Sequence, residues 1–498
     1  MKFSKRYGMM SSRETFDKPI RLEKTMNNEN DTISDEIRPS LQEIGRWFQQ
    51  LQQLHERIAP RFARKEPRHR ALLYLQAILS EIPRKNGWQI AEQAKQANPY
   101  GMQRFLSSAV WDENGVRDDI RAFALEQLGK SGGIGIVDEF GMPKRGKKSA
   151  GVKKQHCGAT GRVEGCQVGV ILSYDTECGH MPIDWRLYVP EDWTEDRERC
   201  REAGIPDSLH YRPKWELALE MLKRAVRAGI TFRWVVADTV YGQAVELRKW
   251  LEEQGTAHVL GIACNEPVCV QAESGYLLAE ARDIVARLLQ KEEDWHRLAN
   301  GWGTKGPRMF DWARLPVVHG GVVDGAHFLL IRRCIDDPEV LSYYLAFAPP
   351  ATTLQEMVLA IGARWHVEED LQATKGLGLD QYEVRSYTGW YRHITLVMLA
   401  YAFLVSIRVH DESHLPMPPE EAVLTPPVIP TEEAMLTPPV IPTEEVIRMT
   451  TSEVQHLLAR LFFPAPSGVT FVLAWSIWRR RHQYRAGQCH ANARLKAG

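Results

Sequence analysis

The sequence predicts a mixed α/β core flanked by helices, and three observations support this prediction. Apolar segments of strand length, bounded by turn residues, occupy residues 134–137, 166–175, 181–190, 232–238 and 257–263. Segments with helical periodicity separate the later strands, at residues 215–228 and 244–254. The chain has 498 residues, of which 44% are hydrophobic, so it can bury large cores in about three domains.

The composition excludes several classes of protein. The longest apolar run, residues 394–407, is shorter than the roughly 20 residues that span a bilayer, so we expect neither a polytopic membrane protein nor a membrane partner. The N-terminus lacks the apolar segment of a signal peptide, which predicts a cytoplasmic protein. The eight cysteines form no C-x-x-C pair, so zinc-ribbon spacing is absent and reduced thiols are expected.

The formal net charge is zero, but the charges are unevenly distributed. Residues 411–445 contain eight acidic residues and no lysine or arginine, so the rest of the chain is basic. Basic residues concentrate in two clusters, namely Lys144, Arg145, Lys147 and Lys148 (with Lys153 and Lys154 shortly after), and Arg479, Arg480 and Arg481. Such clusters can neutralise phosphates of nucleic acid, although solvated loops and tails have the same composition.

Changes in composition and periodicity divide the chain into seven predicted segments. These are a flexible arm (1–39), a helical DNA-binding domain (40–130), the first part of the core (131–264), an insertion (265–350), the second part of the core (351–410), an acidic, proline-rich disordered linker (411–447) and a basic C-terminal region (448–498). Residues 420–443 contain a twelve-residue direct repeat with proline pairs, which excludes helix there. Residues 87–106 fit a helix-turn-helix or a plain helical bundle equally well.

Two aspartates follow predicted strands. Asp138 ends the strand at residues 134–137, and Asp238 ends the strand that begins at residue 232. Carboxylates at strand ends are well placed for a site built on rigid elements. Each aspartate alone is weak support, since aspartate is also common in turns and helix caps.

A third acid is predicted on a long helix over residues 354–375. Arg364, Glu368 and Lys375 are spaced to form one stripe on that helix, whereas Glu369 points about 100° away. Of the acidic run at 368–370, Glu368 is therefore the candidate. A solvated face with helical ion pairs is the alternative interpretation of this run.

Three carboxylates of this kind suit metal-dependent chemistry on nucleic acid. Magnesium prefers oxygen ligands, and two metals bridged by carboxylates can activate a nucleophile and stabilise a leaving oxygen at a phosphodiester. Arg364 and Lys375 would contact the adjacent phosphates.

The motifs resemble those of the DDE transposases of bacterial insertion sequences, in the branch with a Y-x2-R-x3-E-x6-K signature. Here the signature reads Ile361, Arg364, Glu368 and Lys375, with isoleucine in place of tyrosine. Asp138 lies in IVDEFGMPKRGKKSAGV and Asp238 in VVADTVYG, which are similar to the segments around the first two acids. The resemblance implies an RNase H-like mixed-sheet catalytic core, interrupted between the second and third acids by a β-rich insertion domain.

The resemblance also implies the activity. It implies cleavage and strand transfer of double-stranded DNA with two Mg²⁺ (or Mn²⁺) ions held by Asp138, Asp238 and Glu368. The expected partners are terminal inverted repeats, target DNA and a second copy of the chain in a synaptic homodimer. Two alternatives stay open: a sequence-specific DNA-binding protein with repurposed chemistry, and a standalone RNase H-like DNA endonuclease.

Overall fold

The computed structural model describes residues 41–272, 275–303, 306–410, 449–466 and 469–497. The N-terminal part is helical, as predicted. Its five helices are α1 (Leu41–Ile58), α2 (Lys65–Leu79), α3 (Gly87–Gln93), α4 (Tyr100–Ser107) and α5 (Glu113–Leu128). Side-chain caps fix two of the helix starts, because Asn86 accepts hydrogen bonds from the first turn of α3 and Asp112 from that of α5. The repeat at residues 420–443 lies outside the described residues.

The strands that follow form one continuous mixed sheet. They are β1 (Ser131–Pro143), β2 (Lys153–Cys157), β3 (Arg162–Thr176), β4 (Gly179–Tyr188), β5 (Thr231–Ala237), β6 (Ala257–Ile262), β7 (Pro267–Ala272), β8 (Gly275–Glu280), β9 (His296–Gly303), β10 (Gly306–His319), β11 (Val322–Arg333) and β12 (Leu341–Phe347). The order is β2-β3-β1-β5-β6-β12-β11-β10-β7-β8, with β4 also paired to β3 and β9 to β10. The sheet confirms a mixed α/β fold.

Among the described strands, the three central ones, β1, β5 and β6, are parallel to one another, and the other pairings in the sheet are antiparallel. β1 is antiparallel to β3 but parallel to β5, and β5 is parallel to β6. β6 pairs antiparallel with β12, so the strands of the predicted insertion extend the central sheet. The pairing of β1 with β5 ends at Val137 and Ala237, and the two aspartates directly follow this pair.

Further helices lie between and after the strands. They are α6 (Glu191–Glu195), α7 (Arg197–Glu202), α8 (Lys214–Arg227), α9 (Thr239–Gly242), α10 (Val245–Glu253), α11 (Ala281–Leu288), α12 (Leu354–Gly362), α13 (Trp365–Gly376), α14 (Tyr387–His410), α15 (Thr451–Phe462) and α16 (Val469–Ala497). In the insertion, residues 275–280 form β8 against β7, and α11 begins directly after them at Ala281.

The N-terminal helices and the central sheet share one hydrophobic core, and α14 runs through it against α2, α5 and β4. α14 is long and apolar enough to cross a membrane, but 83% of its most apolar window is buried inside the protein, as in the core helix of a soluble domain. Buried ion pairs tie α5 to the sheet, since Asp184 on β4 lies 3.5 Å from Arg117 and 3.3 Å from Arg121. The predicted boundary near residue 130 thus marks a change of secondary structure and not a break in packing.

The long helix predicted over residues 354–375 is instead two helices. α12 ends at Gly362, and Arg364 caps α13 through a tight turn in which Arg364 N donates to the Ile361 carbonyl at 3.2 Å. The cause lies outside the segment: the backbone carbonyl of Asn300 on β9 packs so closely on Gly362 that a Cβ there would lie 1.6 Å from it. The separation of Arg364 and Glu368 by one turn survives, because Arg364 keeps helical φ and ψ angles.

This contact predicts opposite effects for two glycines that each end a helix. Gly362→Ala places a methyl group against a backbone carbonyl, so we expect the unfolding free energy to fall by about 1–3 kcal/mol. Gly376→Ala meets only the end of the Gln455 side chain at 4.0 Å, so we expect no loss and a gain of up to about 1 kcal/mol. Urea unfolding of both variants measures the difference, and equal effects would show that Asn300 does not constrain the helix junction.

Candidate active site

Asp138 and Asp238 lie side by side where the parallel pairing of β1 with β5 ends. The last register pair of β1 and β5 is Val137 with Ala237, and each aspartate is the next residue. Neighbouring strands are about 4.8 Å apart, so the register brings the two carboxylates to one edge of the sheet. Asp238 follows the end of β5, as predicted, whereas Asp138 lies inside β1, which was expected to end there but continues to Pro143 because residues 138–143 still pair with β3.

Local contacts fix the direction of both side chains. Asp138 accepts a hydrogen bond from its neighbour's backbone, Glu139 N, at 2.8 Å. Asp238 is the N-cap of α9 and accepts from Val240 N at 3.0 Å. α9 lies directly on β6, where a Cβ at Gly242 would be 1.9 Å from the Gly261 carbonyl oxygen, so the position of this cap is closely determined.

The pKa values of both aspartates are raised above their ordinary value. Burial, together with the negative charge of Asp238, raises the pKa of Asp138 to about 6, although Arg364 opposes the shift. Burial and the charge of Glu139 raise the pKa of Asp238. A buried and a half-buried carboxylate with raised pKa values form a site that favours added positive charge.

Arg364 supplies part of that charge. Its guanidinium forms an ion pair with Asp138 and also feels the negative charges of Asp238 and Glu368, which raise the pKa of Arg364 against its burial. Arg364 thus interacts electrostatically with all three predicted acids.

Two further charged residues border the aspartates and were not predicted as site residues. Glu139 forms an ion pair with Lys214, the first residue of α8, and its charge acts on Asp238. Glu139 directly follows Asp138 in the sequence, and this adjacency could have identified Glu139 as a residue of the site. Lys214 is separated from both aspartates in sequence, so only the fold identifies it.

The acidic run on α13 divides into three environments. Glu368 is exposed in the first turn and makes no hydrogen bond or ion pair within the described part of the chain. Glu369 lies 3.4 Å from Nε2 of His180 on β4, which lowers the pKa of Glu369. Asp370 is completely buried.

The buried Asp370 anchors α13 on the sheet. Its carboxylate accepts hydrogen bonds from Ser173 Oγ on β3 and Tyr401 OH on α14, both at 2.8 Å, and lies 2.7 Å from Nδ1 of His180. The attraction of Asp370 raises the pKa of His180 to about 10, despite its burial. These bonds fix the rotation of α13, so that Glu368 cannot exchange places with its neighbours.

The three predicted acids do not form a compact cluster in the described part of the chain. Over the described ranges, the three carboxylates do not form a group whose oxygen atoms all lie within 4.8 Å of one another. The predicted insertion contributes a contact here: Arg308 on β10 donates to the Gly362 carbonyl at 3.0 Å and stacks on Trp365, 5.0 Å from its ring centre. Arg308 also feels the charge of Glu368, so the insertion holds the start of α13.

The predicted phosphate-binding residues have different environments. The ammonium group of Lys144 packs on the Tyr382 ring, and its Nζ donates to the backbone carbonyl of Tyr382 at 3.0 Å. Burial lowers the pKa of Lys144 to about 8. The other predicted cations differ in exposure. The exposed ones are Arg145, Lys147, Lys148, Arg480 and Arg481, and the half-buried ones are Lys375 and Arg479. Arg479 forms an ion pair with Glu92 on α3 at 2.7 Å. Their contact with DNA stays a prediction.

The donor set fits a hard divalent cation. Asp138 and Asp238 supply carboxylate oxygens, the ligands that Mg²⁺ and Mn²⁺ prefer, and their mutual repulsion is relieved by positive charge. Glu368 could complete the set from α13. The number of ions and the role of Glu368 stay predictions.

Comparisons with known proteins support the resemblance. A family model described as DDE superfamily endonuclease matches residues 57–300, a range that contains both aspartates but not Glu368. A protein described as a probable transposase for insertion sequence element IS701, from Microchaete diplosiphon, is 30% identical over 192 residues, which are 38% of this chain and 47% of that protein. The match thus spans about half the length of this relative. The relationship to DDE-type insertion-sequence transposases is confirmed.

A solved structure is similar over a longer range. It is the piggyBac transposase in a synaptic complex with hairpin DNA, with 11% identity and a TM-score of 0.38, covering 82% of this chain and 75% of that one.

Proposed function

We propose that this chain, as a relative of the DDE-type insertion-sequence transposases, is a divalent-metal-dependent DNA endonuclease and strand transferase. The observation that carries the proposal is the pair of aspartates, the buried Asp138 and the half-buried Asp238, which lie side by side where the pairing of β1 with β5 ends and have raised pKa values. The central strand order supports an RNase H-like core, and the family match supports nuclease chemistry.

The roles of the residues follow from their positions. Asp138 and Asp238 hold Mg²⁺ or Mn²⁺ with Glu368, and a bound pair of ions supplies activation of the attacking oxygen and stabilisation of the leaving 3′-oxygen. Arg364 balances the aspartates before cation binds and is close enough to contact a phosphate beside them. The network around Asp370 keeps Glu368 directed to this edge of the sheet.

The DNA would be the terminal inverted repeats of the element and a target duplex. The exposed cations Arg145, Lys147, Arg480 and Arg481 would contact backbone phosphates, and α3 and α4 would belong to a helical DNA-binding domain. Two copies of the chain would hold the paired ends in a synaptic homodimer.

The test compares two aspartates that cap helices. Asp238→Asn keeps the cap of α9 but removes the charge, so cleavage of a labelled duplex carrying the DNA that flanks the gene should fall about a hundredfold or more in Mg²⁺. Asp196→Asn makes the same change at the exposed cap of α7 and should leave cleavage within about twofold.

Each alternative function predicts a different result. If wild-type protein binds the duplex but never cleaves it in Mg²⁺ or Mn²⁺, the repurposed DNA-binding protein is the better account. If it cleaves but no 3′ end is joined to a second duplex, it is a standalone endonuclease. Equal cleavage by wild type and Asp238→Asn rejects the proposed site.

A further inference from the structure

A cluster of two histidines and one glutamate lies outside the candidate active site. Glu252 on α10, His319 at the end of β10 and His327 on β11 each offer one ligand atom, and these atoms all lie within 4.8 Å of one another. The two imidazole rings are stacked in parallel with their centres 4.0 Å apart. Three ligands of this kind are thus brought together from two parts of the fold that are distant in sequence.

The ring of His327 is oriented as a metal-binding histidine usually is. Its Nδ1 lies 2.7 Å from Asp324 Oδ2, and the other oxygen of Asp324 is held by the backbone N–H groups of Ala326 and His327 at 2.9 and 3.1 Å. A carboxylate on one ring nitrogen directs the other nitrogen towards a metal. That other nitrogen, Nε2, is buried, makes no hydrogen bond, and lies 3.5 Å from Glu252 Oε1.

The backbone of the hairpin places the second histidine. Residues 320 and 321 are glycines with φ angles of 58° and 85°, and they form the two-residue turn that pairs His319 with Val322. His319 is exposed and Glu252 is half-buried, so rotation of their side chains can shorten the ligand separations to the roughly 3.3 Å that a tetrahedral metal with 2.0–2.1 Å bonds requires.

We propose that Glu252, His319 and His327 bind one divalent transition-metal ion of the zinc class, with Asp324 orienting His327. Two imidazoles and one carboxylate suit zinc and its neighbours, whereas Mg²⁺ favours an all-oxygen site. The remaining coordination position is open to water on the side where His319 is exposed. The cluster borders a cavity of about 210 Å³ that is also lined by Arg248, Lys249 and the buried His258.

The position of the ion indicates its structural effect. α10 follows directly after α9, whose cap is Asp238, while β10 and β11 belong to the segment predicted as the insertion. The ion would therefore join the hairpin of the insertion to the helix that follows the second aspartate. It would be independent of the ions proposed for the carboxylates of the active site.

The test is metal binding by the full chain without DNA, after removal of metals with a chelator. Co²⁺ is titrated and its visible absorption recorded, and Zn²⁺ is then added as competitor. His319→Ala and His327→Gln should each weaken binding at this site at least about tenfold, and Asp324→Asn should weaken it less than either. His296→Ala removes another exposed strand histidine and should bind as wild type does.

The measurement separates this site from the active site. The titration is carried out in millimolar Mg²⁺, which occupies the proposed carboxylate site, and the Co²⁺ absorption that persists there should be the same in Asp138→Asn as in wild type. Zn²⁺ should raise the melting temperature of wild type but not of His327→Gln. If His319→Ala and His327→Gln bind Co²⁺ as tightly as wild type, the inference is wrong, whatever the outcome of the cleavage assays.

Discussion

Replacing Glu368 by glutamine should abolish DNA cleavage, whereas the same change at Glu369 should leave most of it. Glu368→Gln preserves size but removes the charge that holds a divalent cation, so we expect a loss of about two orders of magnitude or more in Mg²⁺. Glu369 forms a partly exposed ion pair with His180, which glutamine can replace by a hydrogen bond. Such pairs contribute at most about 1 kcal/mol, so activity should stay within about fivefold.

The two glutamine variants are compared in one cleavage assay, and duplex binding without metal is measured beside it. Both variants should bind DNA as wild type does, because neither change removes a cation. The opposite result, with Glu369→Gln inactive and Glu368→Gln active, would mean that the side-chain assignment on α13 is off by one residue. Loss of binding in either variant would indicate a folding defect, which the thermal unfolding curve would also show.

Local patterns were sufficient to predict the parts of the site that depend on one segment. Asp138 and Asp238 were found because strand-length apolar runs end at each of them, and strand pairing then places them together. The choice of Glu368 over its neighbours followed from helical periodicity. In the structure Glu369 and Asp370 contact His180 and Glu368 is exposed, and the metal-binding role of Glu368 stays a prediction.

Contacts between distant segments were not predictable in this way. The break after Gly362 depends on the Asn300 carbonyl, which arrives from another strand, and no pattern within residues 354–375 encodes it. Lys144 belongs to a run of cations that resembles a solvated loop, yet it packs on Tyr382. Asp370 on α13 accepts hydrogen bonds from side chains on β3 and α14, so its anchoring role can be recognised only in the folded chain.

The Asp138→Asn variant should differ from wild type in how its free energy of unfolding depends on pH. Asp138→Asn should eliminate cleavage and yet make the metal-free protein more stable than wild type at pH 8. The pKa of Asp138 is raised to about 6 in the folded state, so its protonated form is favoured by folding. The stability that it contributes is complete below its unfolded pKa, near 4, and is lost as the pH rises through about 6.

Asparagine resembles the protonated carboxyl at every pH, and so it retains this stability where wild type loses it. We expect the variant to gain on the order of 1–3 kcal/mol at pH 8 in EDTA, and the gain to disappear near pH 4. Denaturant unfolding at both pH values measures it. Added Mg²⁺ should stabilise wild type at pH 8, because the cation neutralises the ionised Asp138 and Asp238. It should not stabilise the variant, which lacks the charge of Asp138.

Asp311 provides a matched control with the opposite sign. It is as buried as Asp138, but Arg297 and Arg333 bind it at 2.9 and 3.1 Å and lower its pKa. Its contribution to stability is present above its unfolded pKa and is lost in acid, so Asp311→Asn should destabilise the protein at pH 8. If Asp138→Asn is also destabilising at pH 8, then its ion pair with Arg364 outweighs the burial and repulsion of the aspartates. In that case the pair would not be poised to take up a cation.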